Sequence, residues 1–310
     1  MHNKIAIGIC TCLRPKMLSS ALEGIKNLDF PDNVEIVLII VDNDKEASAK
    51  KIVEKFYQNF PIKIIYSIEN RRGISYARNR VLTEALQINS TEIAFMDDDA
   101  IADKNWLKSL YEFYLKNDSA DVVTGPQIQI FPNKCPEYIK NNSFYKKKVK
   151  STGQEMPDAA TNNVLFSSEI VTAKQIWFDE SLAFIGGEDT DFFNRASNQG
   201  AKILWTNEAI VRETVPESRV TIKWLLKRQL IRGYGLTCLR VRSIHDKQKL
   251  LKLFIKTLVK LIFYILFLLV SWIFGSTYFV EILSKCSKTL GRILLFLNKN
   301  VNGYQEIHGN

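Results

Sequence analysis

Three aspartates in a row, Asp97-Asp98-Asp99, follow directly on the apolar run Ile93-Ala94-Phe95-Met96. Carboxylates so close repel one another, and a hard divalent cation with oxygen ligands relieves the repulsion. Mg2+ or Mn2+ suits the position, because Asp97 and Asp99 supply one or two ligands and phosphate oxygens can complete an octahedron. A solvated acidic turn is the plainer alternative. A second cluster, Gly186-Gly187-Glu188-Asp189-Thr190-Asp191, lies at an expected loop-to-helix junction, with Asp189 ninety residues beyond Asp99. Its acids can simply cap the helix at the positive end. A carboxylate there can instead take the proton of an attacking hydroxyl while the cation holds a departing diphosphate. One metal cluster and one base cluster suit group transfer from a nucleotide.

Such residues need a scaffold that presents them on one edge. Ile5 to Cys10, Glu35 to Val41, Ile62 to Tyr66 and Glu92 to Met96 are short, apolar and β-branched, as buried parallel strands are. Helical stretches separate them at Lys16 to Asn27, Lys45 to Asn59, Ile74 to Gln87 and Asn105 to Lys116. The alternation predicts a doubly wound α/β sheet, whose ligands bind beyond the carboxyl ends of its strands. Thr11 to Pro15, Asp42-Asn43-Asp44 and the three aspartates all fall there. Neither GxGxxG nor GxxxxGK[ST] occurs, which argues against a dinucleotide enzyme and a P-loop NTPase. Phe131 to Asn163 is polar and reads as a long loop over the site. Its Lys146, Lys147, Lys148 and Lys150 could meet a diphosphate or form a solvated charge run.

The chain has 310 residues with 42 Lys plus Arg against 33 Asp plus Glu, a formal charge of +9. With 46% hydrophobic and 11% aromatic residues it can bury a substantial core, which excludes a disordered or collagenous chain. The excess charge is local, since Arg219 to Lys260 holds 12 basic residues and one acid, Asp246. Cys10, Cys12, Cys135, Cys238 and Cys286 are an odd set without CxxC spacing, so reduced thiols in a cytosolic compartment fit best. The first apolar run is too short for a secretory signal, so export is not expected.

After Gly235 the character changes. Lys249, Lys252, Lys256 and Lys260 share one helix face, and Leu261 to Val280 carries no charge over 20 positions. Gly275-Ser276 interrupts it, which leaves one span or a hairpin turning at Gly275, the hairpin being favoured because basic residues flank both sides. Beyond, Glu281, Lys285, Lys288 and Arg292 oppose Ile282, Leu283, Leu290, Ile293 and Leu294, the pattern of an amphipathic helix suited to a membrane surface. Basic residues interleaved with membrane-length apolar sequence, rather than with stacking aromatics, argue for a bilayer and against nucleic acid.

Taken in order, several segments resemble family 2 glycosyltransferases, in particular non-processive bacterial members that build polysaccharide repeat units on a lipid carrier. They are Ile7 to Pro15, Val41-Asp42-Asn43-Asp44, Gly73-Ile74-Ser75-Tyr76-Ala77-Arg78-Asn79, Phe95 to Asp99 with Trp106-Leu107, Asn163 to Phe166, and Gly186 to Phe193. The likeness continues through Val215-Pro216-Glu217-Ser218-Arg219 and Trp224 to Arg228 as far as Arg232-Gly233. It implies a GT-A fold, a Rossmann-like doubly wound mixed sheet over residues 1–235, with residues 236–310 as hydrophobic and amphipathic membrane-attachment helices.

The resemblance also implies roles. Thr11, Asp42 and Asn43 would contact the nucleoside, and Arg14, Arg78, Asn79, Asp97 and Asp98 would line the nucleotide-sugar site. Asp97 and Asp99 would hold the metal, Asp189 would be the general base with Glu188 beside it, and Asn163, Gly187, Gln229 and Arg232 would face the acceptor. A turn at Asp42-Asn43 and a surface helix position for Arg78 are the structural alternatives. Processive relatives carry QxxRW, whereas Gln229-Leu230-Ile231-Arg232 is followed by Gly233, so a single sugar is expected to be added. Asn162 stands where many relatives have glycine before Asn163. The expectation is an inverting, metal-dependent transfer from a nucleotide-sugar, a UDP-sugar by preference, to a lipid-linked or saccharide acceptor at the cytoplasmic face of the membrane. A nucleotidyltransferase and a non-catalytic membrane scaffold are the alternatives.

Overall fold

A computed structural model describes residues 3–117, 119–146, 150–242, 244–299 and 301. Lys147 and Lys148 lie outside them. Strands β1 (Lys4–Thr11), β2 (Glu35–Asp42), β3 (Lys63–Ile68) and β4 (Glu92–Met96) alternate with helices α1 (Pro15–Lys26), α2 (Lys50–Phe56) and α3 (Ile74–Gln87). After β4 come β5 (Ala100–Ala102), α4 (Trp106–Lys116), β6 (Val122–Thr124), β7 (Gln127–Ile130), α5 (Glu137–Lys140), β8 (Asn163–Ser167) and α6 (Glu169–Thr172). The chain ends on α7 (Glu188–Asn198), β9 (Ile203–Trp205), β10 (Val211–Thr214), α8 (Ile222–Arg242), α9 (Lys247–Ser271) and α10 (Ser276–Phe296).

The main sheet has seven strands in the order β3-β2-β1-β4-β8-β6-β9, and β5-β10-β7 form a smaller one. β1 to β4 run parallel, while β8 is antiparallel to both β4 and β6, so the sheet is mixed as expected. Alternating residues feed two cores. Ile5, Ile7 and Ile9 meet Leu18 and Leu22 of α1 and Trp106 and Leu107 of α4, whereas Ala6, Val37 and Ile39 meet α3 and Phe192 and Phe193 of α7. Parallel pairing puts Thr11 opposite Asp42, and Gly8 opposite Phe95 brings Thr11 level with Asp98. The expected edge is therefore formed by register alone.

Three elements differ from expectation. The helix anticipated from Lys45 starts at Lys50, because the Asp42 carboxylate accepts the Ala49 N–H at 2.8 Å and holds residues 43–49 in turns. Residues 131–146 are docked rather than looped over the site. Ile139 and Tyr145 are buried with Leu225 of α8 and Val280 of α10, and the Ser143 N–H and hydroxyl donate to Glu281 at 2.9 and 2.6 Å. Lys150 lies with its Nζ 3.9 Å from the Trp205 ring centroid.

The C-terminal apolar stretch does not form one helix from Leu261 to Val280. α9 gives way to a short 3-10 turn at Trp272–Phe274, and Gly275, with φ +97°, reverses the chain. α10 runs back along α9, as Phe254 and Phe296 show with centroids 5.3 Å apart. It is no free surface helix, because Val280, Ile282, Ser284 and Gly291 are buried. Residue 235 falls inside α8, which continues unbroken to Arg242. The outer side of α9 is open, and Lys247–Phe274 is long and apolar enough to cross a membrane, with a mean hydropathy of 2.4 over an 18-residue window within it.

Candidate active site

At the end of β4 the three aspartates have separate surroundings. Asp98 is buried, accepts the Thr11 hydroxyl at 2.7 Å and pairs with Arg14 Nη1 at 3.0 Å. Asp99 Oδ2 pairs with Arg219 Nη1 at 3.1 Å and Arg14 at 3.5 Å. The Asp97 carboxylate has neither a hydrogen bond nor an ion pair among the described residues. Burial, then the neighbouring Asp99, pushes the Asp97 carboxyl up to about 7, and burial pushes Asp98 up to about 6.

The acidic cluster on α7 meets this one through Arg78. α3 carries Arg78 inward, where its Nη1 pairs with Glu188 Oε1 and its guanidinium lies 5.6 Å from the Phe178 ring centroid. Both partners are buried. The Arg78 guanidinium feels Glu188, Asp189 and Asp97, and these acids hold it more firmly protonated than usual. Gly187 caps α7 at φ +93°, and a Cβ there would meet Leu239 of α8 at 3.2 Å. Asp189 then sits half-buried in the first turn, accepting among the described residues only the adjacent Thr190 N–H, at 2.7 Å. The two neighbours thus differ: buried Glu188 pairs with Arg78 through Oε1, with Oε2 unpartnered among the described residues, whereas Asp189 is half-buried.

Several other expected site residues are held by hydrogen bonds within the protein. Asp42 is fully buried, with Oδ2 accepting Tyr66 OH and Ala49 N–H at 2.8 Å each, and burial raises its pKa. The Asn43 amide donates to the carbonyls of Glu69 and Arg71 at 2.9 and 2.8 Å and accepts the Gly73 N–H at 2.7 Å, so it holds the 69–73 turn. Asn79 makes a double hydrogen bond with the Phe178 backbone, 2.9 Å each way. Asn163, expected on the acceptor side, is instead completely buried. It accepts Trp106 Nε1 at 2.8 Å and donates to the carbonyls of Pro126 and Ala209 at 2.9 and 2.7 Å. Gln229 is buried in α8, and exposed Arg232 lies in the field of Asp189.

Arg219 has no assigned role in the sequence reading, yet it bridges Asp99 and Glu213, the latter at 3.2 Å. The Pro216-Glu217-Ser218-Arg219 turn after β10 delivers it. Its only advance signal is its place in the Val215–Arg219 segment. Asp99, expected as a metal ligand, is therefore already partnered, and no group of three acids, histidines or cysteines is poised for a metal among the described residues. Asp97, unpartnered and destabilised as a carboxylate, fits a divalent cation that takes its remaining oxygens from outside the protein.

The family profile "Glycosyl transferase family 2" matches residues 6–173, and "Glycosyl transferase family group 2" matches residues 93–298. Over 231 residues the chain is 33% identical to the succinoglycan biosynthesis protein ExoM of Rhizobium meliloti (strain 1021), covering 74% of this chain and 72% of that protein. The mannosyltransferase PcManGT of Pyrobaculum calidifontis, solved with GDP-Man and Mn2+, is similar at a TM-score of 0.57 and 15% identity, over 95% of this chain and 74% of that one. S. aureus TarS 1–349 with UDP-GlcNAc is similar at 0.53 and 18%, over 75% of this chain and 66% of that one. The chain spans 43% of the longer S. aureus TarS structure. The structural likenesses carry the GT-A arrangement of mixed sheet and flanking helices.

Proposed function

The chain belongs to glycosyl transferase family 2, and from that premise we propose that it moves one sugar, with inversion, from a UDP-sugar to a lipid-linked or saccharide acceptor in cell-surface polysaccharide synthesis. The observation that carries this reading is Arg78, which lies in the field of Asp97 on one side and of Glu188 and Asp189 on the other. It couples the place where a diphosphate leaves to the place where a hydroxyl attacks. Asp189 takes the proton of the acceptor hydroxyl as that oxygen bonds to the anomeric carbon and the bond to the diphosphate breaks on the opposite face. Glu188, tied to Arg78, keeps α7 and its aspartate in place. Arg14 and Arg219 stand beside Asp98 and Asp99, where they offset negative charge that gathers as the nucleoside diphosphate departs. Asp97 would hold Mg2+ or Mn2+, which when bound supplies positive charge to the leaving group. Membrane attachment through α9 would keep the cleft at the cytoplasmic surface, within reach of a lipid-linked acceptor.

Asp189→Asn tests the base. Turnover should fall roughly 10²–10⁴-fold, while calorimetric donor binding in the presence of Mn2+ stays as in the wild type. A variant that keeps more than about a tenth of turnover removes Asp189 from that role. Donor affinity that is the same with Mn2+ and with chelator removes the metal.

A further inference from the structure

α8 and α10 cross in backbone contact. A Cβ on Gly233 would lie 1.9 Å from the Lys288 carbonyl oxygen, and one on Gly291 would lie 1.9 Å from that of Leu230. Approach this close forces the charged neighbours of both glycines together. Arg228, Arg232, Lys288 and Arg292 have no acidic ion-pair partner among the described residues. Arg232 faces Arg228 and Asp189, and Lys288 faces Arg232, Arg292 and Lys260 of α9. Half-buried cations without counter-ions, as Arg228, Lys288 and Arg292 are, cost free energy until an anion joins them.

Beside this cluster the three helices enclose a cavity of about 180 Å3 lined by Leu236, Thr237, Arg240, Leu253, Thr257 and Arg292. That is room for several waters and for a phosphate group. The Arg292 Nε is buried and has no hydrogen-bond partner among the described residues. α9, which forms one wall, exposes Leu258, Ile262, Phe263 and Leu266 on its outer side. A donor without an acceptor, a surplus of cations and an apolar outer face thus meet at one place.

We propose that the α8–α9–α10 cleft binds the phosphate headgroup of a membrane lipid through Lys288 and Arg292, with the hydrocarbon chain lying along the exposed face of α9. The anion fills the cavity and accepts from the Arg292 Nε, and the apolar chain continues where the cations end. A free inorganic phosphate offers the same oxygens and lacks the chain. The inference does not depend on which sugar or acceptor the enzyme uses.

The full chain is tested in flotation with phosphatidylcholine vesicles, with and without phosphatidic acid. The wild type should prefer the phosphatidic acid vesicles by about tenfold or more. Lys288→Gln/Arg292→Gln should lose that preference yet still float with pure phosphatidylcholine, whereas Lys249→Gln/Lys252→Gln, which removes two exposed charges from α9, should keep it. Equal losses in the two double variants would reduce the effect to general surface charge and overturn the site. Full displacement by inorganic pyrophosphate would reassign it to a soluble ligand. Should the first double variant fail to fold, Lys288→Gln alone must lower the preference and Lys288→Arg restore it, or the assignment fails. Calorimetric donor binding should match the wild type throughout, so a negative result here leaves the glycosyl-transfer reading standing.

Discussion

Arg78 and Glu188 are each buried and each is the other's charged partner. Removing one leaves an uncompensated charge in the core, at a cost of about 3–5 kcal/mol. Arg78→Ala is therefore expected to lower unfolding stability by about that much. The double variant Arg78→Ala/Glu188→Ala should recover part of the loss, as denaturant titration of the four-member cycle would reveal. Additive losses would mean that the two side chains act independently. A second titratable group belongs to the helices. Burial, then Arg232, Arg292 and Lys260, holds Lys288 down to about 8 from its ordinary 10.5. The folded state thus binds fewer protons than the unfolded chain between these values, and stability should rise as pH climbs from about 8 towards 10.5. Lys288→Gln should flatten that rise in thermal unfolding scans, and an unchanged slope would place the lysine in water.

Among the elements, the α8–α10 crossing is the least forgiving. Ordinary overpacking costs about 1–3 kcal/mol, but a side chain at Gly291 meets a carbonyl of α8 that cannot rotate away. Gly291→Leu should exceed that range in thermal unfolding and expose the turn near Gly275 to protease, whereas Gly200→Ala, with open space around its Cβ, strains only its own backbone. Elements differ in how far their sequence announces them. β4 and α3 have the boundaries that apolar runs and flanking polar residues predict, since both are local patterns. The amphipathic period of α10 was also legible, but its partner was not. A bilayer and a protein face select the same stripe, and among the described residues the small Ser287, whose hydroxyl donates to the Leu226 carbonyl at 2.6 Å, and Gly291 mark the close contact with α8. At the site, the acids were readable because three adjacent carboxylates are conspicuous in any context. Their counter-charges were not, because Arg219 reaches Asp99 from 120 residues away. An amide suits a ligand and a backbone carbonyl equally well, so the sequence does not tell that buried Asn43 and Asn163 and half-buried Asn79 all hold backbone partners in the fold.

For the whole molecule, the charge of +9 is unevenly placed. The basic excess lies on the helices that follow the mixed sheet, and α9 among them leaves Ile262, Phe263, Leu266 and Leu269 exposed by 51–69%. Deleting everything from Leu250 onward would be a poor test of attachment, because it also removes α10, whose Val280 packs with Leu225 and Ile139 and whose Glu281 holds Ser143. Such a chain would expose the inner face of α8 and aggregate whatever its membrane affinity. Replacing the four outward residues by glutamine leaves the packed faces intact. It withdraws apolar surface that contributes about 0.8 kcal/mol per buried CH₂ group in a bilayer. The quadruple variant is expected to move from the membrane pellet to the soluble fraction while its melting temperature and Mn2+-dependent donor binding stay near the wild type. A variant that remains in the pellet with an unchanged melting temperature would move the attachment from the apolar face of α9 to the basic cluster between the helices.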